Sequence, residues 1–405
     1  MRRPDQVPAR RIAARHAAAR RTAARLGAAL ILLLVLVPAA PARAAVTLYE
    51  KDQTRLEMEF RLMAWGVQAG PDLVPDGAGA PPAQDGDIYD FFVRRARILV
   101  RAKISSSLEI FFQAGEDNMG SKILKDDAGF RFKDAMLNYR HSEGLQLAVG
   151  QFKVPFLRQN LESGFNQLLV DRSITTAIRP AVEGQRDDGG MIWGNRGGMQ
   201  YRVAVFDGSD QEDTNTNSSL RGSARVSYNW FTPEPGLGFT GTTFGKQKIL
   251  QIGGQGDWQD GRTDPRDATA FQTERRDYRA WAFDYFYEQP YQSGWSLVTE
   301  GAWIQRRDDY LTAGLDTLST HAGYVQAGVG FPWECGIGHL QISGRYELLD
   351  TDRGASSTDV RGRTFGLTWF LKGHDRKIQF DHVTLRESPV DLDNDAYRLS
   401  FAATF

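Results

Sequence analysis

Residues 93–103 read VRRARILVRAK. Arg95, Arg97, Arg101 and Lys103 stand at alternate positions, with small or apolar Ala96, Ile98, Val100 and Ala102 between them. A guanidinium presents a planar fork of N–H donors that matches carboxylate and phosphate oxygens. A second basic group lies between Gly150 and Arg186, in QFKVPFLRQNLESGFNQLLVDRSITTAIRPAVEGQ. It holds Lys153, Arg158, Arg172, Arg179 and Arg186 against Glu162, Asp171 and Glu183, a net charge of +2.

This is chemistry for holding anions rather than for making bonds. No G-x-S-x-G stretch occurs, and His141, His339 and His374 fall where short turns are expected, so a Ser–His hydrolase is disfavoured. The single cysteine, Cys335, allows no internal disulfide and no cysteine metal cluster. Asp391–Asp395 (DLDND) resembles part of a calcium loop but lacks its glycine and distal Glu, and reads as a solvated loop tip. No metal and no cofactor are expected.

The elements that must position these cations repeat at two residues, not at 3.6. Leu56, Met58, Phe60 and Leu62 alternate with Arg55, Glu57, Glu59 and Arg61, and Leu340, Ile342, Gly344, Tyr346 and Leu348 with Gln341, Ser343, Arg345 and Glu347. Each run is about ten residues, enough for a tilted strand to cross the hydrocarbon layer. Short connections such as 141–144 and 372–376 alternate with long polar ones such as 66–90 and 259–275, as in outer-membrane barrels. Sixteen strands are expected, near 54–66, 90–103, 106–115, 130–141, 144–151, 186–194, 197–206, 220–230, 247–258, 276–289, 293–306, 320–332, 338–349, 360–371, 375–386 and 394–405. The expected fold class is all-β, a transmembrane antiparallel barrel. Residues 236–246 could add a strand, but bacterial single-chain barrels are normally even, so that stretch is read as part of a longer periplasmic connection.

In such a barrel Ala96, Ile98, Val100 and Ala102 touch lipid, while Arg95, Arg97, Arg101 and Lys103 touch water inside. The reverse register would cost about 2–4 kcal/mol per mid-depth charge. Arg94 breaks the alternation and is placed near the strand's outer end. Trp65, Trp193, Trp230, Trp258, Trp295, Trp333 and Trp369 fall near strand ends, where aromatic girdles meet the membrane boundary.

Residues 1–44 read as a secretory signal peptide: an Arg-rich lead, the apolar run Leu26–Ala40, then Ala42-Arg43-Ala44. The barrel domain then covers 45–405. The first 44 residues carry nine Arg and one Asp, so the remainder has 40 basic and 49 acidic residues, a net charge of −9. That balance argues against nucleic acid as a partner. The terminal Phe405, on the apolar face of its strand, is the kind of end that barrel assembly machinery reads.

The connection of about 152–186 is too long for a turn and too apolar for a solvated loop, with Phe152, Phe156, Leu157, Phe165, Leu168, Leu169 and Val170 among its residues. It is expected to fold inward, pack on the wall and narrow the channel; a lid over the mouth is the other option. Lys153 and Arg158 have no adjacent acidic residue and are expected to set ion preference. Arg172, which follows Asp171, is expected to be locally paired.

Several motifs together resemble the phosphate-selective porins O and P. They are Gly150-Gln151-Phe152-Lys153 with Pro155-Phe156, Asp171-Arg172-Ser173, Arg186-Asp187 with Gly189, the segments Tyr201–Gly208 and Gly241–Gly254, and Arg94–Arg97. The resemblance implies a 16-stranded barrel embedded in outer-membrane lipid, a homotrimer, an inward-folded third loop and a pore for small anions such as phosphate or polyphosphate. It also implies a ladder of arginines, for which the second-strand arginines, Arg225 and Arg345 are the candidates. The family's lysine cluster is thin here: the third loop keeps Lys153, and Gln247 separates Lys246 from Lys248. The residues alone leave open a general or cation-preferring porin, since outer connections such as Asp85–Asp90 (DGDIYD) are acidic. A purely adhesive barrel would not need basic strand faces.

Overall fold

The computed structural model describes residues 45–71, 87–124, 127–178, 185–208, 219–262, 276–310, 317–350, 359–388, 392 and 394–405. In chain order the strands are β1 (Val46–Lys51), β2 (Thr54–Ala69), β3 (Ile88–Lys103), β4 (Leu108–Met119), β5 (Asp127–Ser142), β6 (Leu145–Lys153), β7 (Arg186–Arg196), β8 (Met199–Phe206), β9 (Arg221–Asn229), β10 (Ile249–Arg262), β11 (Arg276–Pro290), β12 (Ser296–Tyr310), β13 (Leu318–Cys335), β14 (Gly338–Asp350), β15 (Asp359–Lys372), β16 (Arg376–Glu387) and β17 (Ala396–Thr404).

From β2 to β17 each strand pairs antiparallel with its successor, and β17 returns to β2 through the register Ala396↔Ala69 to Thr404↔Arg61. Sixteen strands therefore close on themselves, which removes the free sheet edges an open sheet would expose. The sixteen expected strands all form. The residues 236–246 do not form a seventeenth; Phe239 alone makes a single bridge, to Glu162. The short β1 was missed. It pairs with the start of β2, from Val46↔Met58 to Lys51↔Thr54, along the edge that β17 occupies further on. Between the two, Phe405 N donates to Phe60 O at 2.8 Å and Phe60 N to Phe405 O at 3.0 Å.

The alternation sorts side chains between two faces. On β8, Val203 and Val205 are each 50% exposed, whereas Arg202, Ala204 and Phe206 are almost fully covered. Such a barrel turns its apolar face to lipid and its polar face inward. Two of the expected girdle residues depart from this: Trp65 and Trp193 are buried on the inner face, Trp193 donating to Asn138 Oδ1 at 3.0 Å. Their strand positions have inward parity, which outweighs closeness to a strand end. Trp230, Trp258 and Trp333 do point outward, each about half exposed.

Arg94 has its own explanation. The β2–β3 register slips between Met63 and Ala64, so Arg94 sits in a β-bulge without a partner residue on β2. A bulge inserts one residue and re-aims those around it. The buried set on β3 accordingly switches from Asp90 and Phe92 to Arg95 and Arg97, while Phe91 faces out. Arg94 therefore joins the inner face, its guanidinium 4.8 Å from the Trp65 ring and donating to Asn118 Oδ1 at 2.8 Å.

Candidate functional site

The connection between β6 and β7 folds into the barrel and lies on the inner wall of β11–β16. Val154 N donates to Gln185 O at 2.9 Å and closes its base. A single helical turn, Arg158–Leu161, and a 3-10 turn, Ile174–Ile178, shape it. The wall supplies acceptors for its backbone: Arg158 N donates to Asp284 Oδ2, Val170 N to Asp381 Oδ2 and Ile174 N to Glu347 Oε2. Wall cations take its carbonyls: Lys377 Nζ reaches Gln167 O at 3.0 Å, and Arg345 reaches Asp171 O at 2.9 Å. Irregular backbone can be buried because each polar group finds such a partner. Leu168 packs with Ile249, Phe286 and Val298, and Phe165 and Val170 join Trp65, Val67 and Phe92. Gly366 permits the approach, since a Cβ there would lie 2.5 Å from Leu169 Cδ2.

A second insertion comes from the opposite, short-turn rim. Residues 230–248 turn back into the barrel and meet the loop, with Gly241 N donating to Asn166 O at 2.9 Å. Glu234 grips the Arg158 guanidinium bidentately at 2.7 and 2.8 Å, and Arg158 also stacks 3.9 Å over the Phe286 ring. Glu288 accepts from Thr243 N and Gly245 N. His374, in the turn after β15, places Nε2 2.8 Å from Thr240 Oγ1 and 3.0 Å from Thr242 O. Burial, and next the charge of Lys377, hold this imidazole down to about 3.

The two insertions cover the wall of β10–β17 and leave a cavity of about 1200 Å³ against β3–β8. Eleven basic and five acidic side chains line it, so its fixed charge is positive although the chain beyond residue 44 is negative. Arg94, Arg95 and Arg97 of β3 line it together with Lys153, Arg172 and Arg186. Arg97 pairs with Asp117, Arg186 with Asp134 at 2.7 Å, and Asp171 lies 3.4 Å from Arg94 and 3.5 Å from Arg95. Burial alone would raise the Asp171 carboxyl, but Arg94 and then Arg95 hold it far below the usual range. Gly164 gives Arg95 room: a Cβ there would stand 2.9 Å from the guanidinium carbon.

Lys153 and Arg172 converge on the end of the helical turn. Lys153 Nζ donates to Asn160 O at 2.8 Å and Glu162 O at 2.7 Å, and Arg172 donates to Gln159 O at 3.1 Å and to the same Glu162 O at 2.7 Å. These are carbonyls that a helix end leaves unsatisfied. Among the described residues no carboxylate lies within ion-pair distance of Lys153, whose amine donates to main-chain carbonyls. The Glu162 carboxyl itself is fully buried 3.7 Å from Arg158 Nε. Burial, and next Glu300, push it well above the usual carboxyl range.

The expected site residues thus separate. Arg95, Arg97, Arg101, Lys103, Lys153, Arg172 and Arg186 line the cavity, Arg101 and Lys103 towards the short-turn rim, where Arg101 lies 3.1 Å from Glu109. Arg158, Arg225 and Arg345 do not line it; they are buried at 0, 1 and 6% exposure beneath the insertions. Arg225 is clamped by Asp284 at 2.6 and 2.8 Å, and Arg345 holds the loop and lies 3.3 Å from Glu347. Arg158, expected to stand clear of acidic groups, has two acidic partners, Glu234 at 2.7 Å and Glu162 at 3.7 Å, and Asp171 lies against Arg94 and Arg95. Arg179 lies outside the described residues. Arg61, Arg94, Arg140 and Arg202 line the cavity and were missed. Inward parity on β2 and β8 would have found Arg61 and Arg202; Arg94 needed the bulge.

Residues 77–251 match the family of phosphate-selective porins O and P. The chain's fold is that of solved outer-membrane channels. The anion-selective porin from Comamonas acidovorans superposes with a TM-score of 0.53 at 13% identity, over 87% of this chain and 100% of that one. The channel DcaP of Acinetobacter baumannii gives 0.55 at 12% identity, over 89% and 100%. The trimeric form of OmpT from Vibrio cholerae gives 0.52 at 8%, over 87% and 100%. No curated protein matches the sequence. The family match and the fold support an outer-membrane porin channel.

Proposed function

We propose that this porin conducts small anions in preference to cations, with phosphate among its candidate solutes. The observation that carries the reading is the cavity's charge: eleven basic against five acidic lining side chains. A fixed positive charge in a narrow, low-dielectric passage raises the local concentration of anions. The anion selectivity of the Comamonas acidovorans porin and the porin O and P match favour the same direction. Part of the acidic outer sequence is structurally engaged: Asp90 is buried and accepts from Lys122 N at 2.7 Å, which weakens the cation-preferring alternative.

Three further readings accompany it: export through a signal peptide in residues 1–44, insertion by barrel assembly machinery that reads the strand ending at Phe405, and a homotrimer like the trimeric OmpT. The test of selectivity is the reversal potential in planar bilayers under a KCl gradient, followed by block with phosphate. A zero-current voltage on the cation side would overturn the reading.

A further inference from the structure

The inner wall of the cavity is not basic throughout. Leu99 stands between Arg97 and Arg101 on β3, and Phe111 and Met136 face the cavity from β4 and β5. Phe111 pairs in register with Arg101 on one side and Met136 on the other, and Leu99 is diagonal to Phe111. These three form one apolar patch. Met191 of β7 extends it along the wall. Across the cavity, Leu237 of the inner insertion also lines the space. Phe111 and Met136 are only half-buried, so they are surface of the cavity and not wholly packed core.

Cations flank this patch on both sides. Arg95 and Arg97 precede Leu99 towards the long-loop rim, and Arg101 and Lys103 follow towards the short-turn rim. The Arg101 guanidinium lies 5.6 Å from the Phe111 ring centre. Arg101 lies four positions after Arg97, or about 13 Å along the strand. A small hydrated anion crossing that interval meets, apart from Gln113 opposite Leu99, apolar wall that returns little of its hydration. An anion with its own apolar body finds a complement at each point: its carboxylate on a guanidinium, its ring or branched chain on Leu99, Phe111 and Met136.

We infer that the solutes favoured by this channel are amphiphilic organic monoanions, carboxylates bearing an aromatic or branched alkyl group. The inference rests on the anion reading above and adds the solute's second half. In it, Leu99, Phe111 and Met136 are binding residues for the solute's apolar part.

The probes are benzoate and acetate, which carry the same charged group and differ in the ring. Each is titrated against single-channel current in KCl. Wild type should be blocked by benzoate at about tenfold lower concentration than by acetate, the effect of withdrawing about 60 Å² of ring from water. In Phe111→Gln/Met136→Gln that ratio should fall towards one while the KCl reversal potential stays put. Met136→Gln alone serves if the double variant does not assemble, and should give an intermediate ratio. Equal block by benzoate and acetate in wild type, or an unchanged ratio in an assembled variant, would overturn the inference. Anion-preferring reversal potentials with equal block sink only the inference. A cation-preferring reversal potential sinks the reading beneath it, whatever the block.

Discussion

Two halves of the inner wall carry the same residue type to different ends. On β3, Arg95 and Arg97 face the cavity; on β9 and β14, Arg225 and Arg345 lie under the two insertions. All four have inward parity on strands of the same barrel. What separates them is what lies on top. Where the wall is open, an arginine adds field to a passage. Where it is covered, the arginine must be matched, and Asp284 and Glu347 match it. Removing one partner of a buried pair leaves an uncompensated charge, whereas removing an open-side cation leaves a solvated carbonyl or carboxylate.

The largest effect expected from this contrast is on stability. Arg158→Met should strand Glu234 and release the loop from the inner insertion, at a cost of about 3–5 kcal/mol. Thermal unfolding followed by the loss of β-sheet circular dichroism checks it; an unchanged midpoint would mean the covered half is not held as described. Arg225→Ala should behave alike through Asp284.

The next effect is on selectivity with little change in stability. Lys153→Gln combined with Arg172→Gln should move the KCl reversal potential towards cations, more at low salt than at high, because screening shortens the reach of the remaining charges. Arg158→Met, if it assembles, should move it less. Equal shifts from both variants would erase the distinction between the halves.

A smaller effect should follow from Gly164→Ala. The added methyl must displace the Arg95 guanidinium, so single-channel conductance should change modestly with unfolding unaltered. The comparison sharpens if Ala at the covered Gly366, under Leu169, instead lowers stability.

The smallest concerns pH. His374 is held down to about 3, first by burial and then by Lys377, with Arg61 a further contributor. A histidine whose folded value lies below its unfolded value of about 6.5 supports the fold fully above that value. It loses that support as pH falls through the window towards about 3. Acidification from pH 7 to pH 4 should therefore loosen residues 240–242 from the turn at His374, seen as added current noise. His374→Gln should remove the pH dependence of that noise; noise that persists unchanged in the variant assigns it to other groups.

The barrel was legible in the sequence because lipid outside and water inside impose a two-residue period on every strand, and charge facing lipid is costly. That constraint acts locally, so strand number, inward parity and the long third loop could all be read residue by residue. The loop's inward course followed from its apolar content. Which of the expected cations are covered, as Arg158, Arg225 and Arg345 are, could not be read this way. Arg158 meets Glu234, 76 residues away, where two insertions from opposite rims touch inside the barrel, and Asp171 reaches Arg94, 77 residues away, where the loop meets the wall at β3. Arg94 turned inward because a one-residue slip against β2 changed the parity of β3, and a slip belongs to a pair of strands rather than to either alone. Periodicity along a strand determines which face a side chain takes; only the packed interior decides whether that face is open to a solute or closed by another part of the chain.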